Sequence, residues 1–305
     1  MSIRKIAVFH NGANVGSAWC CSEGIVAGLK AEGYDVMDCG NPVRSVFALK
    51  DLQQADLIIL SAPEWFFSQL LRNYGQAWAA LTMPKISWYA ESFQADDGRD
   101  MNFEILRPLA DYHFFPAEQD AARFGGEWLP FGVDTELFKP YGIEPVKNAC
   151  FIGTLYPKRD EFIKTLTAPI EFLPAIKERS LTRSFQKLAE AYGSMKILVN
   201  FPSWSRLLVT KVTEAMACGT FVLTPKMDHP SAMRNMNQFE DRKHLAYFDA
   251  ARPDELTELI RYYLQHDVER RTIAAAGLQE VRANHTLRGR LRHMISQAAR
   301  QRSAA

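Results

Sequence analysis

The sequence alternates short apolar runs with amphipathic stretches, and it does so in two successive series along its 305 residues. In the first series, an apolar run at 3–10 leads into a glycine-containing loop and then a helical pattern that ends at Gly33. Runs at 34–38 and 55–61 follow, and the centre of the second, 57–60, is fully apolar. Fully apolar runs of this length are typical of central strands in a parallel sheet, because helices cover both faces. The alternation therefore predicts an α/β fold.

The second half of the chain restarts the same pattern. A strand pattern at 148–152 runs into the turn Gly153-Thr154, and a helical pattern opens near Lys158. Between the halves, 124–145 is rich in glycine and proline, as an interdomain connection would be. Further strands are predicted at 84–89, 111–115, 170–173, 196–200, 220–223 and 245–248, and helices at 205–218, 253–265 and 268–283.

These patterns predict two Rossmann-like domains with a boundary near Pro140, giving units of 1–140 and 141–285. The remaining segment, 286–305, has the apolar spacing i, i+4, i+7, i+8 of a packed helix. The residues with that spacing are Leu287, Leu291, Met294 and Ile295.

Charge and cysteine usage limit the function. With 36 basic and 35 acidic side chains the net charge is +1, so no global field favours nucleic acid or an anionic membrane. The basic run at 282–302 is interpreted as the solvated face of a terminal helix.

No apolar run reaches the ~18 residues of a membrane span, and the cysteines lack zinc-ligand spacing. We therefore expect a soluble cytoplasmic protein with reduced thiols and no metal. The cysteines are Cys20, Cys21, Cys39, Cys150 and Cys218.

Parallel sheets bind ligands beyond the carboxyl ends of their strands, so the residues there are the first candidates. In the first half these are Gly12, Asn14 and Gly16, in the loop after the first strand. The glycines allow backbone N–H groups to approach an anion or a sugar, although a tight turn needs glycine with or without a ligand. His10 ends the same strand, where a histidine is more often a satisfied core residue than a catalytic one.

Two carboxylates follow later strands of the first half. Glu64 comes after the run at 55–61, and Glu91 comes after the run at 84–89. Each is a candidate acceptor-side acid, and Glu91 is the preferred general base.

The second half places cations after its first strand. Lys158 and Arg159 follow Gly153 and Thr154, where a diphosphate would meet a point charge and a bidentate guanidinium. The alternative is a solvated helix start, which the helix dipole disfavours for cations.

A later helical pattern contains Lys211 and Glu214, and it follows the strand that ends at Asn200. A spacing of three puts both side chains on one helix face, where the lysine meets phosphate and the carboxylate accepts from ribose hydroxyls. A surface salt bridge worth ~0.2–0.5 kcal/mol is the alternative.

Four segments of the chain carry a wider pattern. They are ADYHFF at 110–115, WLPFGVD at 128–134 with FKP at 138–140, FIGT at 151–154 and EAMACGT at 214–220. In combination they resemble the GT-B glycosyltransferases, and within these the group related to the spore-maturation protein CgeB and to the group 1 glycosyl transferases.

This resemblance implies metal-independent transfer of a sugar from a nucleotide-sugar to an acceptor hydroxyl, across a cleft between two Rossmann-like domains. Unit 1–140 would hold the acceptor, 141–285 would hold a donor that we expect to be UDP-linked, and 286–305 would cross back to the first domain. Arg159 and Lys211 would bind the diphosphate and act as the catalytic cations.

By the same resemblance, Glu214 would bind the ribose, while Gly153 and Thr154 would line the phosphate turn. Lys158 and Asn200 complete the expected donor site. An arginine commonly stands in the related group where this chain has Lys211. Retaining members often have two glutamates with seven residues between them, and here the first of those positions is Arg206.

Three functions therefore stay open at this point. A transferase is the first, a catalytically silent nucleotide- or glycan-binding module is the second, and an epimerase or phosphorylase on the same scaffold is the third. The acceptor is undetermined among glycans, proteins, metabolites and modified nucleic-acid bases. Retention or inversion of configuration is equally open.

Overall fold

A computed structural model describes most of the chain. The described residues are 3–10, 20–40, 49–61, 64–89, 92–93, 103–153, 155, 157–168, 170–173, 184–201, 208–226 and 238–304. The description covers the backbone alone at 20–23, 49–50, 64–67, 158, 172–173 and 301–304.

The first half forms a six-stranded parallel sheet in the order β2-β1-β3-β4-β5-β6. Its strands are β1 (Lys5–His10), β2 (Asp35–Gly40), β3 (Leu57–Ser61), β4 (Lys85–Trp88), β5 (Tyr112–Phe115) and β6 (Glu127–Trp128). Its helices are α1 (Cys20–Ala31), α2 (Leu49–Leu52), α3 (Glu64–Ala79) and α4 (Glu118–Phe124), with 3₁₀ turns at Phe103–Ile105 and Arg107–Leu109.

The second half forms a five-stranded parallel sheet in the order β11-β10-β9-β7-β8. Its strands are β7 (Lys147–Ile152), β8 (Glu171–Leu173), β9 (Met195–Val199), β10 (Phe221–Lys226) and β11 (Ala246–Asp249). The helices are α5 (Pro157–Lys164), α6 (Phe185–Gly193), α7 (Thr210–Ala217), α8 (Pro253–Gln265), α9 (Asp267–Asn284) and α10 (Leu287–Ala304).

Both sheets have the same winding. Counted within each half, the first strand lies between the second and the third, so the strand order reverses at β1/β3 and at β7/β9. Ligands of open parallel sheets bind at the carboxyl ends beside such a reversal. The two halves are Rossmann-like, and together they have the GT-B arrangement that the sequence predicts.

Alternating strand residues build a core on each face of the first sheet. Ala7 and Phe9 of β1 face a core that contains Trp78, while Ile6 and Val8 face the opposite core. All four of these β1 side chains have no exposed surface. Burial on both faces explains why the strand is a continuous apolar run.

Helix α10 returns to the first sheet. Leu287, Leu291 and Met294 belong to the same core as Ile6 and Val8. Where α10 begins, Leu287 N–H donates to the Val133 carbonyl at 2.8 Å, and Val133 N–H donates to the His285 carbonyl at 2.9 Å. The chain therefore crosses between the halves in two segments that are hydrogen-bonded to each other.

A glycine makes this close crossing possible. A Cβ on Gly132 would lie 2.6 Å from the Leu287 nitrogen. Any larger residue would push the two crossing segments apart, which accounts for glycine in the LPFGVD segment.

The basic run at the end of the chain is not simply a solvated face, so that interpretation is corrected. Arg292 forms a bidentate ion pair with Glu32 of α1, and both hydrogen bonds measure 2.7 Å. His293 contacts Glu127 of β6, and Arg290 donates to the Pro130 carbonyl at 2.9 Å. These basic side chains fasten α10 to the first half, although Arg292 itself stays largely exposed.

Strand β6 lies inside the glycine- and proline-rich segment that the sequence assigned to a connection only. It pairs with β5 and extends the first sheet. Gly126 lies just before β6 and packs tightly against β5. A Cβ at Gly126 would lie 2.4 Å from the His113 carbonyl oxygen. The connection to the second half therefore begins after β6.

Candidate functional site

The carboxyl end of β7 gathers several of the predicted donor-site residues. Gly153 follows β7 directly, and α5 and α7 bring Arg159 and Lys211 to the same place. This is one side of the β7/β9 reversal in the second sheet. The fold thus collects these residues from sequence positions that are far apart.

Lys211 reaches from α7 to the end of β7. Its Nζ donates to the Ile152 carbonyl at 2.8 Å and lies 4.7 Å from the centroid of the Phe151 ring. A Cβ on Gly153 would lie 2.6 Å from that Nζ, and the φ of Gly153 is +153°, a conformation that other residues rarely adopt. Only glycine at this turn leaves room for the ammonium group.

Arg159 lies over the same aromatic ring. Its Cζ is 5.0 Å from the Phe151 centroid, and only 5% of the residue is exposed. Both distances are within the ~6 Å range of cation–π contacts. Residue type and position pair Arg159 with Lys211 in the sequence, whereas Phe151 looks like any other apolar strand residue there.

Burial and charge perturb the lysine of this pair. Burial first, and the neighbouring Arg159 guanidinium second, lower the pKa of Lys211 to about 7, while Glu214 opposes the shift. An anion bound beside the two cations would favour the charged form and raise that pKa again. The site therefore gains affinity for anions from the protonation of Lys211.

Glu214 lies beneath this surface rather than on it. It has no exposed surface, and the Tyr192 hydroxyl of α6 donates to its Oε2 at 3.0 Å. Thr220 in turn donates to the Tyr192 carbonyl at 2.7 Å. The alternative of a surface salt bridge with Lys211 is therefore wrong, and the ribose role of Glu214 stays a prediction.

Asn200 ends the strand on the other side of the reversal. It is 4% exposed, and its Nδ2 donates to Thr224 Oγ1 at 3.0 Å. Its Oδ1 accepts no hydrogen bond within the described part of the chain. A buried carbonyl oxygen of this kind has capacity for a ligand donor.

The carboxyl end of the first sheet has a different composition. His10 at the end of β1 contacts Asp38 of β2, with 2.8 Å between Nε2 and Oδ1. The backbone N–H of Gly40 also donates to Asp38 Oδ1, at 3.0 Å. His10 is 6% exposed, whereas half of the Asp38 side chain is exposed. The sequence analysis named His10 but missed Asp38.

The remaining candidates fall partly or wholly outside the description. Gly12, Asn14, Gly16, Glu91 and Thr154 lie outside the described residues. Glu64 begins α3, and Lys158 lies in α5, with only their backbones described.

The chain just after Glu91 is anchored in the core of the first half. Asp120 of α4 has no exposed surface, and its Oδ2 accepts from the Ser92 hydroxyl and from the Phe93 N–H, both at 2.9 Å. This contact fixes the start of the segment that follows the preferred base.

Within the described residues, no group of three His, Cys, Asp or Glu side chains is arranged to hold a metal ion. No helix in that same part of the chain has the length and hydropathy of a membrane span.

Comparison with known proteins agrees with this architecture. Residues 171–296 match the family model described as glycosyl transferase-like. The matched region runs from β8 into α10 and so includes Asn200, Lys211 and Glu214. No curated protein matched the sequence.

Several solved structures are similar along almost the whole chain. Sucrose-phosphate synthase from Thermosynechococcus elongatus has a TM-score of 0.66 at 13% identity, covering 99% of this chain and 100% of its own. HepE from Anabaena, solved with UDP-glucose, has a TM-score of 0.63 at 12% identity, covering 98% and 100%.

An alpha-glucosyltransferase, solved with UDP-glucose and DNA containing an abasic site, has a TM-score of 0.66 at 10% identity, covering 98% and 100%. At these identities the similarity establishes the fold, and the family model supplies the sequence pattern. Residues 171–296 therefore have the glycosyl transferase-like sequence pattern, and the chain as a whole has the GT-B fold of these structures.

Proposed function

We propose that this protein is a glycosyltransferase that transfers a sugar from a UDP-linked donor to an acceptor hydroxyl without a metal ion. The observation that carries the proposal is the pair of cations, Arg159 and Lys211, over one ring at the carboxyl end of β7. Two similar folds were solved with UDP-glucose, which favours uridine as the donor base.

The chemistry needs positive charge where the donor bond breaks. The bond between the anomeric carbon and the diphosphate oxygen breaks, and a new bond forms between that carbon and the acceptor oxygen. UDP leaves with the electron pair of the broken bond, so negative charge develops on its β-phosphate. Arg159 and Lys211 would stabilise that charge in a partly desolvated site, the role that a metal ion plays in other transferases.

Lys211 would meet the donor only partly protonated near neutral pH, because burial and Arg159 lower its pKa to about 7. Phosphate oxygens would replace the Ile152 carbonyl as acceptors of its N–H groups and would restore its charge. The diphosphate would therefore bind more tightly to the protonated lysine than to the neutral one.

The first sheet would provide the acceptor side. His10 with Asp38 lies at its carboxyl edge, and the residues Gly12, Asn14, Gly16, Glu64 and Glu91 are the further candidates. In an inverting reaction a base such as Glu91 or Glu64 takes the acceptor proton, and in a retaining reaction a donor phosphate oxygen takes it. The acceptor class stays open, and the DNA bound to the alpha-glucosyltransferase makes nucleic acid one of the classes to screen.

A nucleotide panel tests the donor assignment. UDP, GDP, ADP, CDP and TDP are compared by thermal unfolding, each at ~100 times its dissociation constant where it binds, which adds ~2.7 kcal/mol to stability. We expect stabilisation by UDP, and loss of it in Arg159→Gln. No shift with UDP, or a larger shift with another nucleotide, would reject the uridine assignment.

One observation favours a second candidate, a binding module without catalysis. Arg206 stands where the resemblance places the first of two glutamates. The two functions differ in UDP-sugar hydrolysis, because an active transferase slowly passes the sugar to water. UDP release above the uncatalysed rate supports the enzyme, and tight UDP-sugar binding without release supports the module.

A further inference from the structure

Phe151 occupies an unusual position for a core residue. It is 1% exposed and packs against Phe201 at a centroid distance of 5.0 Å. Yet its Cζ would lie only 2.8 Å from a Cβ on Gly153, so the ring extends beneath the turn that follows β7. One part of the ring belongs to the core, and its face meets the candidate phosphate site.

Two cations share this ring. Lys211 Nζ is 4.7 Å and Arg159 Cζ is 5.0 Å from its centroid. Like charges repel, and the guanidinium is one cause of the lowered Lys211 pKa. The face of an aromatic ring carries partial negative charge, which attracts cations more strongly when they are desolvated. The ring thus offsets part of the repulsion while the anion is absent.

We propose that Phe151 is a positioning residue that holds Arg159 and Lys211 side by side for the donor diphosphate. The inference rests on the proposed function, because the diphosphate is the anion for which the cations are held. Gly153 contributes by its missing side chain, which leaves the turn close to both the ring and the ammonium group.

The charges around Lys211 define how a test by titration is interpreted. Arg159 on α5 lowers its pKa, Glu214 on its own helix raises it, and the Ile152 carbonyl of β7 accepts its hydrogen bond. Removing the ring takes away one group that favours the charged lysine and leaves Arg159 and Glu214 in place. The Lys211 pKa should therefore fall.

The main experiment separates diphosphate binding from nucleoside binding. Phe151→Met keeps an apolar side chain of similar length without an aromatic face. UDP and uridine affinities are measured by calorimetry and by competition. We expect UDP affinity to fall about tenfold, as the loss of a desolvated cation–π contact implies, while uridine affinity changes less than about twofold. An equal fall for both ligands, or no change for UDP, would overturn the proposal.

Two further variants separate the ring's charge from its packing. Phe221 is equally buried at 1% and begins β10 at its amino end, so Phe221→Met is the matched control and should leave UDP affinity unchanged. Replacing Phe151 alone with 3,5-difluorophenylalanine keeps the shape of the ring but weakens the negative charge on its face. UDP affinity should therefore fall, but by less than in Phe151→Met. Full affinity in the fluorinated protein would show that only shape matters and would contradict the proposal.

A measurement without any nucleotide separates this inference from the proposed function. NMR titration of the Lys211 side chain is compared between the ligand-free wild type and Phe151→Met, with a lower pKa expected in the variant. A wild type that binds no UDP would reject the proposed donor. An unchanged Lys211 pKa would reject the positioning role of Phe151 whatever the ligand is.

Discussion

The carboxyl edges of the two sheets share one winding but differ in charge. At the β7 end, Arg159 and Lys211 lie over an aromatic ring, and the carboxylate of Glu214, on the same helix as Lys211, has no exposed surface. At the β1 end, His10 contacts Asp38, whose carboxylate is half exposed. The same topology therefore supports a cationic edge and an edge with an accessible carboxylate.

The difference in charge indicates that the two edges have different roles, one toward the donor and one toward the acceptor. A departing diphosphate needs cations, and an acceptor hydroxyl needs a group that takes a proton or orients it. If this division is correct, substitutions at the β7 edge change donor binding, and substitutions at the β1 edge do not. Four experiments test this division of roles between the two edges, beginning with the one whose effect should be largest.

The largest effect is expected from removing the lysine charge. Lys211→Met should weaken UDP binding roughly 30-fold, because a charge-assisted hydrogen bond to phosphate contributes ~1.5–3 kcal/mol. Uridine binding should be nearly unchanged, and calorimetry measures both. The paired variant at the other edge, His10→Gln, should keep the UDP dissociation constant within about twofold. Equal losses in the two variants would remove the distinction between the edges.

A substitution at the turn should have the next largest effect. In Gly153→Ala the new methyl group meets both the Lys211 ammonium and the Phe151 ring, at a backbone angle that favours glycine. We expect UDP affinity to fall about tenfold by displacement of the lysine. Gly75→Ala is the control, since among the described residues no atom outside the backbone of α3 lies within 4 Å of its Cβ position. That control should stabilise the protein by ~0.5–1 kcal/mol in thermal unfolding and leave UDP binding intact.

The effect of pH on UDP affinity should be smaller than the effects of these two substitutions, and it should appear only above pH 7. The pKa of Lys211 is lowered to about 7 in the empty site by burial and by Arg159, and bound phosphate raises it. Above pH 7 the free protein must take up a proton to bind, so affinity should fall by up to tenfold per pH unit. Lys211→Arg should remain charged and show little decline between pH 7 and 9. A wild-type profile as flat as that of the arginine variant would refute the lysine's part in binding.

The smallest effect concerns the buried carboxylate. Tyr192→Phe removes the hydroxyl that donates to Glu214 and should lower the free energy of unfolding by ~1–3 kcal/mol, since a buried carboxylate loses one hydrogen bond. UDP affinity should fall only about threefold. Tyr247→Phe, which loses a longer bond of 3.2 Å to the Phe239 carbonyl in a partly buried place, is the matched control and should cost less. Urea unfolding compares the two, and an equal loss would show that Glu214 does not depend on Tyr192.

Periodic sequence features made much of the fold predictable. Helix α8 matches its predicted range of 253–265 because Leu256, Ile260 and Tyr263 recur at helical spacing and are buried. Strand β3 and the buried second half of β7 were predicted because buried parallel strands are rich in consecutive apolar residues. In contrast, β6 has two residues and no periodicity to detect, and tertiary contacts such as that of the Trp128 indole with the Pro116 carbonyl hold it in place.

The candidate site was only partly predictable for a different reason. Arg159 and Lys211 are conspicuous as cations near strand ends, so residue type and position were enough to single them out. The contribution of Phe151 depends on where α5 and α7 place their side chains relative to its ring, and an apolar strand residue carries no local sign of that. Asp38 and Tyr192 were missed likewise, because their partners, His10 and Glu214, are 28 and 22 residues away.

The most direct test of the central claim is a crystal structure of the protein with UDP. We expect the diphosphate at the carboxyl end of β7, with phosphate oxygens within hydrogen-bonding distance of Arg159 and of Lys211 Nζ. We also expect Lys211 to leave the Ile152 carbonyl for the phosphate. UDP bound elsewhere, or bound at this edge with its phosphates turned away from both cations, would contradict it.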